Sequence, residues 1–230
     1  MQKRSWKHSA SMPKPARETE HAELSADPAT WRPLLRRFFD APPEQVARLL
    51  LGKILVRRGR GSPLAGRIVE TEAYLGEHDG AAHAASGRTA RNAVLYGPPG
   101  YAYVYNIYGM YACLNVSCLP EGDPGGVLFR GLEPLQGIAE MRRNRELNES
   151  AGIHQLTSGP GKVCQAFGIT RAADNGLDLT SAVARLGLVE DDFQCGEICV
   201  TPRIGISKAA NWPLRFFLAG HDCVSGRRRR

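Results

Sequence analysis

No stretch of this 230-residue sequence stays apolar for the roughly 20 residues that a membrane-spanning helix requires. The N-terminal segment has no apolar core of a secretory signal, and its acidic residues argue against a transit peptide, so an intracellular protein without a membrane partner is expected. The six cysteines (Cys113, Cys118, Cys164, Cys195, Cys199 and Cys223) match no common zinc spacing. Cys195 and Cys199 come nearest to a metal pair, but no second pair or histidine set accompanies them, and buried, reduced thiols are expected. "TSGPGK" lacks the full spacing of a nucleotide-triphosphate loop, which disfavours ATP. The sequence also has no internal repeat, which excludes a solenoid or propeller.

A broad excess of charge is missing too. The formal net charge is +7, but residues 1–33 hold six Lys or Arg against four acids, and the last four residues are all arginine. Residues 34–226 carry 20 basic and 19 acidic groups, so a polyanion site there would need local clustering. Three clusters offer it: Lys53, Arg57, Arg58, Arg60 and Arg67; Arg88 with Arg91; and Arg142, Arg143 and Arg145.

With 43% hydrophobic residues, the chain can bury one good core, so one domain with extensions is expected. The polar, aperiodic start reads as a disordered basic arm over residues 1–33, followed by a folded domain over 34–226 and a basic tail over 227–230. Pro43 to Leu51 has a helix start, helical spacing and a glycine stop. "KILVRR" and "LAGRIVETEAYLG" read as strands, the second with Val69, Thr71, Ala73 and Leu75 on one face and Ile68, Glu70, Glu72 and Tyr74 on the other. Residues 76–100 form a long irregular loop, of the kind that persists for function. "YAYVYN" and "MYACLNVSCL" form a hairpin about a turn that contains Gly109, and "GVLFRGL" is a further strand. A helix is expected to open at Pro134 in "EPLQGIAEMRRNREL", with Leu135, Ile138 and Met141 facing inward. "SGPGKVCQAFGI" reads as a turn feeding another helix.

The chemistry concentrates in two stretches, "GRIVETEAYLGEHDGAAH" and "YAYVYNIYGMYACLNVS", the second with five tyrosines in eleven residues. Carboxylates and phenols are costly to bury without partners. Glu70 is open to the plain reading of a solvated strand-face carboxylate, whereas Glu72, sharing its face with Tyr74, suits a general base in an aromatic pocket. Tyr101, Tyr103 and Tyr105 share one strand face and could line a slot, while Tyr108 falls at the hairpin tip, where an exposed ring could wedge between bases. Arg130 lies between apolar residues and needs a carboxylate or a ligand, with Glu72 the natural partner. Arg88, Arg91 and Asn92 suit phosphates, as do the free backbone N–H groups of "TSGPGK" with Lys162 close by. His83 taken singly is more often the kind of histidine that is structural than one that is catalytic.

Taken in order, "GRIVETEAYLG", "AAH", "RN", "YVYNIYGMY", "LNVS", "VLFRGLEP", "SGPGKVCQA" and "PRIGI…PLRFF" resemble the alkyladenine (3-methyladenine) DNA glycosylase family over roughly residues 35–226. The resemblance implies an enzyme of base-excision repair. Such an enzyme flips an alkylated or deaminated purine (3-methyladenine, hypoxanthine or ethenoadenine) out of double-stranded DNA and hydrolyses its N-glycosidic bond, leaving an abasic site. It implies Glu72 as general base, and Arg130 with the backbone carbonyl of Ile204 holding the attacking water. Tyr74 would stack on one face of the base, with His83 and Tyr105 on the other. The main-chain N–H of His83 would bond the base edge, Asn115 would clash with the exocyclic amine of guanine, and Ala82 and Leu128 would complete the pocket. Tyr108 would fill the gap left in the duplex. Arg88, Arg91, Gly159, Gly161, Lys162 and Lys208 would contact DNA.

No lysine matches a Schiff-base role, so the resemblance implies a monofunctional hydrolase, acting as a monomer without metal or organic cofactor. It would work in the cytoplasm at the nucleoid if bacterial, or in the nucleus if eukaryotic. Asn106 and Tyr103 depart from a family hairpin that is often apolar, and Leu95 with Tyr96 departs at a second wedge. The expected fold is α+β, one domain with a curved, mainly antiparallel, partly open barrel-like sheet surrounded by helices and a positively charged DNA face. Two other classes share some of these residues. A binding protein without catalysis would keep Tyr108 and the arginines but has no need of both Glu72 and Arg130, and a small-molecule nucleoside hydrolase has no use for Tyr108.

Overall fold

The computed structural model describes residues 28–59, 61–107 and 109–226. Arg60, Tyr108, most of the expected N-terminal arm and the four terminal arginines lie outside them.

Arg32–Pro33 (β1) pairs with Leu186–Glu190 (β7). Pro43–Leu49 (α1) follows, with Pro43 in the first turn, where a missing N–H costs nothing. Val46, Ala47 and Leu50 are buried, and Gly52, at φ +82°, turns the chain into Ile54–Arg57 (β2). Leu64–Tyr74 (β3) is the central strand. On one side it pairs with Gly125–Gln136 (β6) for most of its length. On the other it meets β2 at residues 64–67 and Arg215–Leu218 (β9) at residues 70–72. Ala102–Ile107 (β4) and Tyr111–Cys118 (β5) make the hairpin, and β5 continues the sheet from β6. Ile198–Thr201 (β8) pairs with β9.

Every pairing is antiparallel, the strand order is β1-β7-β2-β3-β6-β5-β4 with β9 and β8 branching from β3, and the sheet curls into a half-barrel. The protein is therefore α+β with a barrel-like sheet, as expected.

Helices Ile138–Asn144 (α2), His154–Thr157 (α3), Pro160–Ala166 (α4) and Arg171–Asp174 (α5) complete the fold, with α1 and α4 packing on the sheet. The main core joins Phe39, Leu50, Ile68, Leu114, Phe129, Leu132, Met141, Phe167 and Phe216.

Three expectations need correction. First, the strand "GVLFRGL" runs on to Gln136, and Pro134, expected to open a helix, sits inside it. Pro134 pairs with Gly66 at a register shift, where its missing donor is tolerated, and α2 begins only after Gly137 at φ +75°. Second, β3 has no solvent face: Leu64 to Ala73 are all buried. Third, the cluster of Lys53, Arg57 and Arg67 is not a free basic patch, because these side chains pair with Glu190, Asp174 and Asp191. Arg142 and Arg143 are likewise engaged, by the carbonyls of Asn148 and Ala151 and by Glu140. The thiols also vary, since Cys195 is exposed and Cys199 half-buried while the other four are buried.

A pair of irregularities interrupts the β3–β6 ladder beside the two glutamates. Ile68 pairs with Leu132, Glu70 with Gly131 and Thr71 with Phe129, so Val69 is extra on one strand and Arg130 on the other. The two offsets cancel and restore the register. A bulge re-aims the side chains around it, and here it sets Arg130 beside the glutamates of the neighbouring strand. Gly76 ends this region at φ +94°, where a Cβ would lie 2.1 Å from the Pro124 carbonyl oxygen. Gly76→Ala combines backbone strain with a clash and should lower stability by about 2–4 kcal/mol in urea unfolding.

Candidate active site

The site is built upward from a buried charge cluster. Glu70 and Glu72 are both fully buried, with Arg130 and Arg215 nearly so. Glu70 accepts hydrogen bonds from Arg130 Nε (3.1 Å), Arg215 Nε (2.6 Å), Ser225 N (2.6 Å) and Ser225 Oγ (2.9 Å). Three of these four donors converge on Oε1, so Glu70 is engaged by the donors of the fold itself. The reading of Glu70 as a solvated strand-face residue is overturned, because β9 and the Cys223–Ser225 segment cover that face from far along the sequence.

Glu72 is held differently. Its Oε1 accepts the Ile204 N–H at 2.8 Å, and its Oε2 takes the Tyr74 hydroxyl at 3.0 Å and Arg130 Nη1 at 3.2 Å. That leaves about one acceptor position open. Burial raises the Glu72 pKa above the usual carboxylate range, against the opposing pull of Arg130, the Ile204 N–H and Tyr74. Burial and the neighbouring carboxylate push the Tyr74 phenol up, so it stays protonated and donates. The expected partnership of Arg130 with Glu72 is present, with Glu70 as a second partner.

Beside this cluster opens a cavity of about 390 Å³ whose lining includes Tyr74, Ala82, His83, Tyr105, Asn115 and Leu128. Arg130 and Ile204 reach it as well, while Glu72 is not itself in the lining and lies behind three lining residues, bonded to Tyr74 and Ile204 and paired with Arg130. Each is placed by its element. Leu128 pairs with Glu72 across β3–β6 and with Asn115 across β5–β6, setting three side-chain positions in one row. Asn115 is buried and donates from Nδ2 to the Tyr103 carbonyl at 3.2 Å.

The long loop carries two short 3₁₀ turns, His83–Ser86 and Ala93–Tyr96. Buried Asn92 ties the first of them down, donating to the carbonyls of His83 (2.9 Å) and Gly87 (3.0 Å). The His83 ring meets Tyr105 edge-on at 4.4 Å, and its Nδ1 lies 2.8 Å from the Tyr103 hydroxyl. Burial, and then the charge of Arg91, lower the His83 pKa, so the ring is neutral at pH 7.

Other expectations fare unevenly. Tyr103 and Tyr105 line the cavity, but Tyr101 does not, since it bridges to Asp178 and lies under the Arg36 guanidinium. Leu95 and Tyr96 are buried, with Leu95 in the cavity lining and the Tyr96 hydroxyl on Glu77. Arg88 and Arg91 are exposed and lie over Tyr96 and Tyr105, next to the cavity wall. Lys162 and Lys208 are exposed too: Gly159 faces the Lys162 stem, Gly161 faces Tyr111, and Lys208 packs near Gly80 in the long loop. Tyr108 lies outside the described residues.

Sequence reasoning missed Glu70, Arg215, Ser225, Asp79 and Arg203 as parts of the site. Arg215 carried the same signal that singled out Arg130, a guanidinium among apolar residues in "PLRFFL".

Because Arg91 contributes to the depressed pKa of His83, Arg91→Ala should raise it toward the ordinary histidine value. Titration of the imidazole resonances by NMR reads the shift, and an unchanged His83 would place Arg91 too far from the ring.

The geometry can be set beside known proteins. Residues 37–222 match the family model described as methylpurine-DNA glycosylase. A protein of Koribacter versatilis named for 3-methyladenine DNA glycosylase activity is 56% identical over 196 residues, covering 85% of this chain and 94% of that protein. Similarly named proteins of Methanocella arvoryzae and Bacillus cereus are 47% and 45% identical over 197 and 198 residues. They cover 84% and 82% of this chain and 96% of each relative. A family model spanning most of the chain and this level of identity lead to one conclusion: the chain belongs to the methylpurine-DNA glycosylase family.

Proposed function

We propose that the protein flips a damaged purine nucleotide out of duplex DNA into the aromatic cavity and hydrolyses its N-glycosidic bond with water activated by Glu72. The observation that carries this reading is the fully buried Glu72, held on three sides with one acceptor position left, beside a cavity of about 390 Å³. Water donates to Glu72 and is oriented by Arg130 and the Ile204 carbonyl. Its oxygen bonds to C1′, its proton passes to Glu72, and the C1′–N bond breaks with its electron pair leaving on the base. A purine made cationic by alkylation departs neutral, whereas hypoxanthine departs as an anion that takes its proton from solvent water.

The walls favour the same class. Tyr74, Tyr105 and the neutral His83 present electron-rich faces to an electron-poor or cationic base, and flipping costs least for a damaged or mispaired base. Asn115 Nδ2, held by the Tyr103 carbonyl, leaves little room for the exocyclic amine that guanine carries and hypoxanthine lacks. Arg88, Arg91, Lys162 and Lys208 follow the phosphates. Tyr108 serves as the wedge, with Tyr108→Ala weakening flipping and leaving the bond-breaking groups intact. The reaction invokes no metal or organic cofactor.

The test is a duplex carrying one hypoxanthine, end-labelled, incubated without added metal and then treated with hot alkali, with alkylated duplexes alongside. Strand cleavage should appear only after alkali. Glu72→Gln should slow single-turnover excision by about 10²–10⁴-fold. In the wild type the rate should rise with pH through a limb above the ordinary glutamate range, because Glu72 is active only when ionised and burial raises its pKa. Tight binding with no cleavage on any duplex would favour a binding protein instead.

A further inference from the structure

The proposed stacking uses one side of Tyr74. The other side is occupied, because the Arg203 guanidinium lies over that ring at 4.6 Å. Arg203 is itself clamped. Its Nη1 donates to Asp79 Oδ2 (2.5 Å) and to the Ala73 carbonyl (2.9 Å), and its Nη2 donates to Asp79 Oδ1 (2.8 Å). Both side chains of this pair are fully buried.

Asp79 does more than neutralise an arginine. Its carboxylate also accepts the N–H groups of Leu75 (3.2 Å) and Ala81 (3.1 Å), and its carbonyl accepts the Ala82 N–H at 2.8 Å. It therefore gathers the start of the long loop into a compact turn that ends at Ala82 and His83, which line the cavity together with Tyr74. Arg203, for its part, directly precedes Ile204, whose N–H bonds Glu72. One ion pair thus joins the back of the Tyr74 ring, the turn that delivers His83 and the strap that holds the carboxylate.

A hydrophobic pair of the same volume would often be as stable as a buried ion pair. Arg203 moreover keeps its Nε buried without a partner among the described residues, which is a cost. The arrangement is poor as a source of stability and well made as a spacer, since a flat, bidentate contact fixes both distance and plane.

We infer that Asp79 and Arg203 are positioning residues: their buried, bidentate pair sets the width of the cavity between Tyr74 and His83, and so the stacking of the flipped base, without touching it. This rests on the glycosylase reading. Neither residue touches the reacting atoms, so both act through Tyr74 and the His83 turn.

The decisive variant is Arg203→Lys, which keeps the charge and loses the fork and the flat face. Single-turnover excision from a hypoxanthine duplex at saturating enzyme should fall about 10–100-fold, the scale of a misplacement of about 1 Å. Affinity for an undamaged duplex should stay within about twofold, since the phosphate contacts lie elsewhere. A loss of fold alone would lower both. In a Tyr74→Ala background the same change should cost less than about threefold, because residues acting through one another are not additive. Should Arg203→Lys fail to fold by circular dichroism, Asp79→Asn, nearly isosteric, is read in the same way.

An active wild type whose Arg203→Lys or Asp79→Asn rate stays within about twofold of its own, or a loss that is fully additive with Tyr74→Ala, would overturn the inference and leave the glycosylase reading standing. A wild type that excises nothing would overturn the reading itself and the inference with it.

Discussion

Two carboxylates and two guanidiniums buried within one sheet set the terms for everything around them. Each charge taken from water costs several kcal/mol, and the cost is recovered only when geometry and hydrogen bonding are nearly complete. The structure meets that demand from three directions. β3 supplies Glu70 and Glu72, the bulge in β6 supplies Arg130, and β9 with the chain near Ser225 supplies Arg215, a hydroxyl and an N–H. The fold closes round this cluster: Arg215 reaches on to Thr201 and the Ser225 carbonyl, so β8, β9 and the C-terminal segment are fastened to the same point.

The two glutamates stand two residues apart, and the environment separates their roles. Glu70 meets four donors, three of them on Oε1, and two of these are guanidinium groups, which makes it the anchor of the arginines. Glu72 meets three, from three different elements, and all three donors belong to residues that line the aromatic cavity. Arg130 touches both, so the anchored glutamate fixes the guanidinium that the open one uses. A network of this kind is high-stakes in a low-dielectric interior, where each unpaired member would be expensive. That expense keeps the carboxylate of Glu72 in one orientation before any ligand arrives.

Much of this was legible in the sequence, and what was not has a physical reason. The strands, α1 and α4 follow from alternation, proline and glycine signals, and the motifs of the long strand and hairpin carry the family. Alternation put Glu70 and Glu72 on one face but could not say that the face is covered, because the cover, Arg215 and Ser225, comes from more than 140 residues away. Pro134 read as a helix start since proline is common there, and only the pairing of Gly66 with Pro134 shows the strand irregularity that admits it. Asp79 in "GEHDGAA" looks like any loop aspartate; its burial depends on meeting Arg203, a contact no local pattern encodes. The bulge at Arg130 is equally silent, since an apolar strand with one arginine reads the same with or without it.

The same offset shows why the site lies where it does. An unbroken ladder would have kept β3 and β6 in simple register, with Arg130 paired across the sheet like its neighbours. One extra residue on each strand cancels across the stretch from Ile68 to Thr71, so the pairing of Gly66–Ile68 resumes in the same register from Thr71 to Tyr74. Bulges bend and twist a strand locally, and Leu128, two residues from the extra Arg130, lines the cavity together with Tyr74 and Asn115. The irregularity that places the cation thus lies on the same short stretch of β6 that supplies part of the cavity wall. A slip of register there would move the guanidinium and Leu128 together, so charge placement and cavity wall depend on one strand pairing.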